Sequence, residues 1–267
     1  MRGERMTPSA FDAFAPAYDA GFTHTRLGRW LRERVWRVLA DVSQPGQRVL
    51  ELACGTGEDA LWLARRGLSV VATDGSGLML RVARGKTTCG GGAGNVAPVR
   101  LPLQQIIAGA APFAGPQFDG VLSNFGGLNT IGDWRGLARG LSLLVRPGGW
   151  LVLVPMGPCC PWETGWHLAH GDAATALRRW RQPATANIGG QLIPVWYPSA
   201  RHLRRDFAPW FTHRRTESLG LWLPPSYLGR LVERRPGLFA RLYRLEQATA
   251  RLTVGCGDHY ISVFNRK

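Results

Sequence analysis

The stretch VLELACGTGEDA, residues 49–60, constrains this chain more than any other. A short apolar run, Val49 to Leu52, ends in a turn carrying Gly55 and Gly57, and a polar helix start follows at Glu58. A strand that passes through bare glycines into a helix brings its backbone against a ligand at the carboxyl edge of a parallel sheet. Two formulas describe the turn. Read from Gly55, Gly-Thr-Gly-Glu-Asp-Ala satisfies the permissive dinucleotide fingerprint; read from Glu51, it is E-x-x-x-G-x-G, a different signature.

The rest of the first half has the rhythm of an open α/β sheet. Leu27, Trp30, Leu31, Val35, Val38 and Leu39 fall on one face of a helix, with Arg29, Arg32, Glu33 and Arg37 opposite. Ser43-Gln44-Pro45-Gly46 stops it, Arg48 to Leu52 forms the first strand, and Glu58 to Arg66 a helix closed at Gly67. Leu68 to Thr73 is the second strand, ending at Asp74, and a helix spans Ser76 to Arg84 before a glycine-rich loop, Gly85 to Gly94. A third strand lies near Val96 to Leu101 and a fourth over Gln117 to Asn124. Trp134 to Val145 is a helix, and Pro147-Gly148-Gly149 turns into strand Trp150 to Val154. Strands alternating with helices predict a doubly wound, largely parallel sheet.

Beyond Pro155 the alternation lapses. Cys159 to Arg181 reads as a partly helical insertion, Asn187 to Tyr197 as an extended pair about Gly189-Gly190, and Ser199 to Phe211 as a helix capped by Ser199. His213 to Leu223 is the next strand, a helical hairpin breaks at Pro236, and His259 to Asn265 closes the sheet. On the hairpin's second arm Leu238, Leu242, Leu245, Thr249 and Leu252 recur at spacings of four and three. That seam predicts intramolecular core, with a membrane-surface or dimer helix as the rarer use.

Charge and cysteine bear on partners. The net charge is +15, and the only lysines are Lys86 and Lys267. Fourteen arginines lie between Arg178 and Arg251 against Asp206, Glu217, Glu233 and Glu246, so the excess sits in the second half. The plainer account is a solvated arginine face reflecting coding composition, because no RNA-binding signature accompanies it. Nucleic acid is accordingly a lesser expectation, beside an anionic acceptor or peripheral membrane contact. Five cysteines without a C-x-x-C pair predict reduced thiols and no zinc site. No apolar run approaches the roughly 20 residues of a membrane span, and MRGERMTPSAFDAF lacks a signal-peptide core; the expected compartment is the cytoplasm.

Physical chemistry separates the two formulas. A dinucleotide seats its pyrophosphate at a helix N-terminus, where Glu58 and Asp59 would repel it. S-adenosylmethionine (SAM) carries a sulfonium cation and no phosphate, so acids there are tolerable. Glu51 can accept from its ammonium group and Asp74 from its ribose hydroxyls, although the ribose role serves either cofactor.

Taken in order, V-L-E-L-A-C-G-T-G, V-V-A-T-D-G-S, F-D-G-V-L-S-N and L-L-V-R-P-G-G-W-L-V-L resemble the motifs of class I SAM-dependent methyltransferases over residues 48–155. The upstream F-D-A-F-A-P-A-Y-D resembles the lid of the small-molecule branch, which includes ubiquinone/menaquinone-biosynthesis-like methyltransferases. The resemblance implies a Rossmann-like seven-stranded sheet whose last strand is antiparallel, in one methyltransferase domain over 1–267. Its parts would be lid helices (1–45), a SAM-binding core (46–155), an insertion capping the acceptor (156–198) and the C-terminal sheet with its helical hairpin (199–267). It further implies that Glu51, Ala53, Gly55 and Gly57 surround the methionyl part, Asp74 takes the ribose, and Gly75, Ser76 and Met79 flank ribose and adenine. Ser123 and Asn124 would lie beside the methionyl group or the acceptor, and Tyr18 would close over the cofactor. One departure concerns adenine: relatives often carry an acid after the third strand, where this chain has Gln104 and Gln105.

Methyl transfer is an in-line displacement that needs alignment, exclusion of water and, where the acceptor must shed a proton, a base. In PWETGWHLAH, residues 161–170, Glu163, His167 and His170 share one side of a helix beside Trp162 and Trp166. His167 and His170 are the best-placed candidates for a base, against the commoner structural role of a histidine; H-x-x-H without further ligands does not make a metal site. Asn124 and Asn129 could orient a polar acceptor, and Trp162, Trp166, Trp196, Tyr197, Trp222 and Tyr227 could line an apolar cavity, though aromatics are more often plain core. The leading expectation is methylation of a small, partly apolar molecule, oxygen narrowly favoured over nitrogen or carbon. RNA methylation and a noncatalytic regulatory protein on the same fold are the alternatives. The sequence does not address oligomeric state.

Overall fold

The computed structural model describes residues 9–89 and 95–267; the first eight residues of the expected lid and residues 90–94 of the glycine-rich loop lie outside the described residues. Seven strands form one sheet: β1 (Arg48–Leu52), β2 (Ser69–Asp74), β3 (Val96–Arg100), β4 (Phe118–Ser123), β5 (Val145–Leu153), β8 (Phe211–Leu219) and β9 (His259–Arg266). Their order is β3-β2-β1-β4-β5-β9-β8. All run parallel except β9, which lies antiparallel between β5 and β8. This is the expected Rossmann-like sheet with its antiparallel last strand. The order reverses at β1 and β4, and the carboxyl ends of those two strands diverge into a crevice, the usual place for a ligand in such a sheet.

The period-two pleat distributes the strand residues between two helical layers. Val49, Val70, Leu122, Val152 and Ile261 pack under α1 (Arg26–Val42), α2 (Glu58–Arg65) and α10 (Pro236–Thr249). Their neighbours Leu50, Leu52, Val121, Leu151 and Phe264 pack under α4 (Leu103–Ile107), α5 (Trp134–Leu144) and α8 (Ala200–Phe207). Each such side chain contributes roughly 1.5–3 kcal/mol on burial. Apart from this sheet stands a hairpin of β6 (Ala184–Ile188) and β7 (Gln191–Val195), preceded by α6 (Pro161–Ala169) and α7 (Ala173–Ala176).

Four expected boundaries move. The helix after β2, α3 (Gly77–Cys89), runs past Arg84 into the expected loop, its last turn held by Thr87 and Thr88 hydroxyls donating to the Arg84 and Gly85 carbonyls. The helix begun at Ser199 stops at Phe207, and β8 starts at Phe211. β8 ends at Leu219 rather than Leu223, because Gly220 turns with φ +77° and the Glu246 carboxylate takes the Gly220 and Trp222 N–H groups out of the ladder.

The largest correction falls on the leucine seam. Leu238, Leu245 and Leu252 are 48%, 38% and 83% exposed, whereas Phe239, Tyr243, Glu246 and Ala250 are buried. The buried face lies one residue on, roughly 100° around the helix. Specific partners set that rotation: Tyr243 stacks on Trp30 and donates to Glu33, and Glu246 is held by the turn after β8. Between α8 and α10 in sequence, the short helix α9 (Arg230–Arg234) leads to Pro236, which starts α10. No helix among the described residues is long and apolar enough to cross a membrane.

Candidate active site

The crevice above β1 and β4 opens into a cavity of about 730 Å³. One wall is the glycine turn. Ala53 has φ +50°, an unfavourable value for a residue with a side chain, and Phe125 at the end of β4 has φ +49°. Strain at both strand ends is where functional sites store it. Two glycines are required there by close approach. A Cβ on Gly57, itself at φ +76°, would sit 3.0 Å from the Ala83 Cβ, and one on Gly127 would sit 2.4 Å from the Ala53 Cβ.

Glu51 ends this wall. Its side chain is buried, and its Oε2 has no hydrogen-bond partner among the described residues. Burial first, and the negative Asp59 second, push its carboxyl well above the usual carboxylate range. A buried acceptor facing a cavity without a donor is costly unless a ligand completes it. Asp74, at the end of β2, accepts from the N–H groups of Gly55 (2.9 Å) and Ser76 (2.7 Å). Each of its oxygens keeps lone-pair capacity for a hydroxyl. Burial raises this carboxyl despite those donors.

The two acids of the helix start are not free charges. Asp59 is buried and pairs with Arg32, while accepting from Trp36 Nε1 and Asn124 Nδ2. Glu58 pairs with Lys86 at 3.2 Å. The repulsion they would exert on a phosphate is thus partly balanced, and Glu51 becomes the stronger discriminator between the two cofactor formulas.

The lid is tied to this wall by polar contacts. The Asp12 carboxylate accepts from the Ser76 hydroxyl, and Asp19 pairs with Lys86 (2.7 Å) and accepts from Thr56 (2.7 Å). Tyr18 lines the cavity, and burial pushes its hydroxyl up to about 12. Arg32 also lines it, 4.9 Å over the Phe125 ring.

Ala53, Gly55, Gly75, Met79 and Asn124 line the cavity with Tyr18, Glu51 and Asp74. Gly57, Ser76 and Ser123 stand behind the lining; the Ser123 hydroxyl donates to the Leu52 carbonyl, and the Ser76 oxygen accepts from Met79 N–H. Gln104 lines the cavity beside Leu101, Pro102 and Leu103, where an adenine acid would be sought.

The opposite wall differs from the sequence expectation. It is aliphatic, built by the hairpin through Ala186, Ile188, Ile193, Pro194 and Val195, with Met156, Tyr197 and Arg178. Asn129 lines the cavity with its amide already engaged by the Met156 N–H and the Met156 and Trp196 carbonyls. Gly189 at the hairpin turn abuts the lid, where a Cβ would stand 2.4 Å from the Ala10 carbonyl oxygen. Lid and hairpin therefore close the site together. A short strand pair is readable in sequence; only topology brings it over β1 and β4.

Helix α6 stands outside the cavity. Glu163 is buried under Arg178 and Arg179, accepting from Arg178 at 3.0 and 2.7 Å and from Arg179 at 2.9 and 3.1 Å. Burial opposes its ionisation, yet the two guanidinium groups hold it below the usual range. Arg179 also bonds Asp258 and lies 4.9 Å over the Tyr197 ring. Trp162 packs on Phe239, and Trp166 stacks on His170, whose Nδ1 meets the Trp166 carbonyl. His167 meets Tyr227 Oη (3.3 Å) and Asp172 (3.4 Å). None of Trp162, Glu163, Trp166, His167 or His170 lines the cavity, and of the six aromatics expected there only Tyr197 does. Trp222 instead donates to the Thr249 hydroxyl, and Trp196 packs against Gly132.

The residues present fit SAM: a buried carboxyl with one unpartnered oxygen for an ammonium group, a two-oxygen acceptor for ribose, and an apolar slot with Gln104 for adenine. Comparison with known proteins agrees. Residues 49–149 match a family model described as a methyltransferase domain. A demethylmenaquinone methyltransferase of Thermobifida fusca (strain YX) is 37% identical over 211 residues, 75% of this chain and 84% of the relative. A ubiquinone/menaquinone biosynthesis C-methyltransferase of Geotalea daltonii is 31% identical over 159 residues, 57% of this chain and 63% of the relative. The first four relatives matched are spanned over only 55–63% of their length. Among solved structures, a geranyl diphosphate C-methyltransferase from Streptomyces coelicolor A3(2) superposes with a TM-score of 0.58 at 14% identity, over 88% of this chain and 79% of that one. That likeness concerns the fold.

Proposed function

This chain belongs to the class I SAM-dependent methyltransferases of the quinone-biosynthesis type, and from that membership we propose that it methylates a carbon atom of a small acceptor with a large apolar part, such as a quinone precursor. One observation supports the reading above others: a single cavity joins the unpartnered Oε2 of Glu51 to an aliphatic wall. The expectation of an oxygen acceptor gives way to carbon, since the Geotalea relative is a C-methyltransferase. Neither the RNA alternative nor the noncatalytic one gains support from these relatives.

SAM, when bound, supplies an electrophilic methyl group. Glu51 would hold its ammonium group, Asp74 its ribose, and Met79, Leu101, Leu103 and Gln104 its adenine. Tyr18 and the hairpin would close over the reacting atoms and exclude water, so that alignment carries most of the acceleration, about 7–11 kcal/mol in favourable systems. A phenol-type acceptor becomes nucleophilic at a ring carbon as its hydroxyl ionises. Arg178, the cation on the aliphatic side, is suited to hold that oxygen. Residues 156–198 act in this reading as the acceptor cap, and 46–155 as the cofactor half.

The test is transfer of labelled methyl from SAM to prenylated and unprenylated hydroquinones, with the product located by mass spectrometry. A carbon-methylated prenylated product is expected; label only on oxygen, or only in RNA, would overturn the proposal. The cofactor assignment has its own readout. Because Glu51 is held above its usual range, an arriving ammonium should favour its ionised form and release a proton. Calorimetry in buffers of different ionisation enthalpy should record that release and a SAM affinity rising with pH, both lost in Glu51→Gln.

A further inference from the structure

Cys54, Cys159, Cys160 and Cys256 are free thiols, and two of them touch. Cys159 Sγ donates to Cys256 Sγ at 3.2 Å, although the two residues are 97 apart in sequence. Cys159 stands between β5 and α6, and Cys256 shortly before β9. The backbone sets them opposite each other. An isolated bridge joins the two residues, the Gly257 N–H donates to the Cys159 carbonyl at 2.9 Å, and the Gly157 N–H donates to the Asp258 carbonyl at 3.2 Å. Gly257 has φ +144°, and a Cβ there would stand 2.9 Å from the Leu219 carbonyl oxygen, so the turn that places Cys256 requires glycine. Arg179 ties the same two segments by donating to the Gly157 and Asp258 carbonyls at 3.1 and 3.0 Å.

The other two thiols lack this arrangement. Cys54 Sγ meets the Gly55 carbonyl at 3.7 Å, and Cys160 is buried, which pushes its thiol up to about 12. Neither bonds a second sulfur among the described residues. Cys159 and Cys256 are each half-buried, which leaves a route for a small oxidant.

We propose that Cys159 and Cys256 form a reversible oxidation site, closed by a hydroperoxide into a disulfide that staples the chain entering α6 to the chain entering β9, and reopened by a dithiol. Cys256, the sulfur that accepts the hydrogen bond, attacks first. Its sulfur bonds one peroxide oxygen, the O–O bond breaks, and its thiol proton leaves with the departing hydroxide as water, giving a sulfenic acid. Cys159 keeps its proton until then, because burial and next the Cys256 thiol push it up to about 11. Its sulfur then displaces the sulfenic hydroxyl, forming the S–S bond and breaking the S–O bond, while its proton leaves with the hydroxyl as a second water. The peroxide gains the two electrons that the sulfurs lose. A dithiol reverses the closure by exchange and is itself oxidised to a cyclic disulfide. The proposal does not rest on the acceptor assigned above, because it is read without acceptor or SAM.

The test is treatment of the folded full chain with hydrogen peroxide, then peptide mapping with fragmentation and without reduction. A link between Cys159 and Cys256 is expected, two hydrogens lighter than the free thiols and lost on addition of dithiothreitol. The oxidised chain should melt roughly 5–10 °C higher than the reduced one, since the bond closes a loop between residues 97 apart. Both results are read on the unaltered chain, so neither depends on a variant that folds. Cys160→Ser should leave both unchanged. A sulfenic-acid trap should label Cys256 in Cys159→Ser and leave Cys159 unlabelled in Cys256→Ser. Oxidised cysteine without the link, a link through Cys54, Cys89 or Cys160, a link between two chains, or one that forms only in urea would each overturn the proposal. So would an unmoved melting midpoint in the linked chain, or trapping at Cys159 in Cys256→Ser.

Discussion

The two walls of the cavity are built in opposite ways. The cofactor wall is made at the ends of adjacent parallel strands, by backbone and two carboxylates, over a turn that only small residues can follow. The opposite wall, proposed above to face the acceptor, is a two-stranded hairpin with no ladder to the main sheet, backed by the ionic cluster of Glu163, Arg178, Arg179 and Asp258. A wall fixed by the sheet can be rigid with few side chains. A wall suspended over it needs its own scaffold, and buried charge here performs the task that strand pairing performs opposite.

The largest expected effect tests that division. Glu163→Ala would leave Arg179 buried with Asp258 as its one remaining carboxylate, and removing one partner of a buried ionic cluster costs about 3–5 kcal/mol. Urea unfolding should record that loss, with SAM affinity of the folded protein unchanged. If stability is intact and only the acceptor KM rises, Glu163 touches acceptor and the division fails. Acid should have the same target. Glu163 and Asp258 are both held below their ordinary values, near 4.5 and 3.8, so their contribution is complete above those values. It fades as pH falls through the depressed ones.

Next in size is Asp74→Ala, which removes the acceptor proposed for two ribose hydroxyls. Each hydrogen bond to a charged group is worth about 1.5–3 kcal/mol, so the loss of two should lower SAM affinity by at least about a hundredfold by calorimetry. An equal affinity would dissolve the contrast between the walls.

The same contrast governs what was legible in the sequence. Glu51, Gly55 and Asp74 sit in short contiguous motifs, because each strand end delivers its residue through two or three positions of turn; reading the motif locates the residue. Ile193 and Val195 carry no motif. They are ordinary strand residues, and only the fold sets them across from Glu51. Helix α6 misled for a related reason: Glu163 and His167 lie one turn apart on it as the spacing requires, while His170 falls just past its end, and the spacing is silent on what that side meets. On α10 the leucine period was real, while Tyr243 and Glu246, which fix the rotation, are polar-tipped residues that a hydrophobic pattern ignores. The strands of the main sheet were legible because buried strands keep their apolar runs whatever lies above them, whereas the antiparallel last strand was implied only by the family resemblance.

A smaller effect belongs to the hairpin. Ile193→Ser should raise KM for an apolar acceptor about tenfold and leave SAM affinity unchanged, since the loss is one partly buried aliphatic contact. A change in SAM affinity of similar size would mean that the hairpin serves the cofactor as well.

The smallest effect is expected at the histidines, and it is the sharpest discriminator. A base must lie within hydrogen-bond reach of the proton it takes, directly or through one water. His170 spends Nδ1 on the Trp166 carbonyl and stacks on that ring, and His167 faces Asp172 and Tyr227 on the outer side of α6. Between them and the cavity stands the Glu163–Arg178 pair. His167→Ala and His170→Ala should therefore each change kcat less than about twofold, because a lost general base costs 10²–10⁴ and a lost surface contact does not. A fall of a hundredfold in either, with the melting midpoint and SAM affinity unchanged, would require α6 to swing its inner face toward the cavity during turnover. The acceptor wall would then be a moving part assembled by substrate, and the ionic cluster behind it the latch that must open.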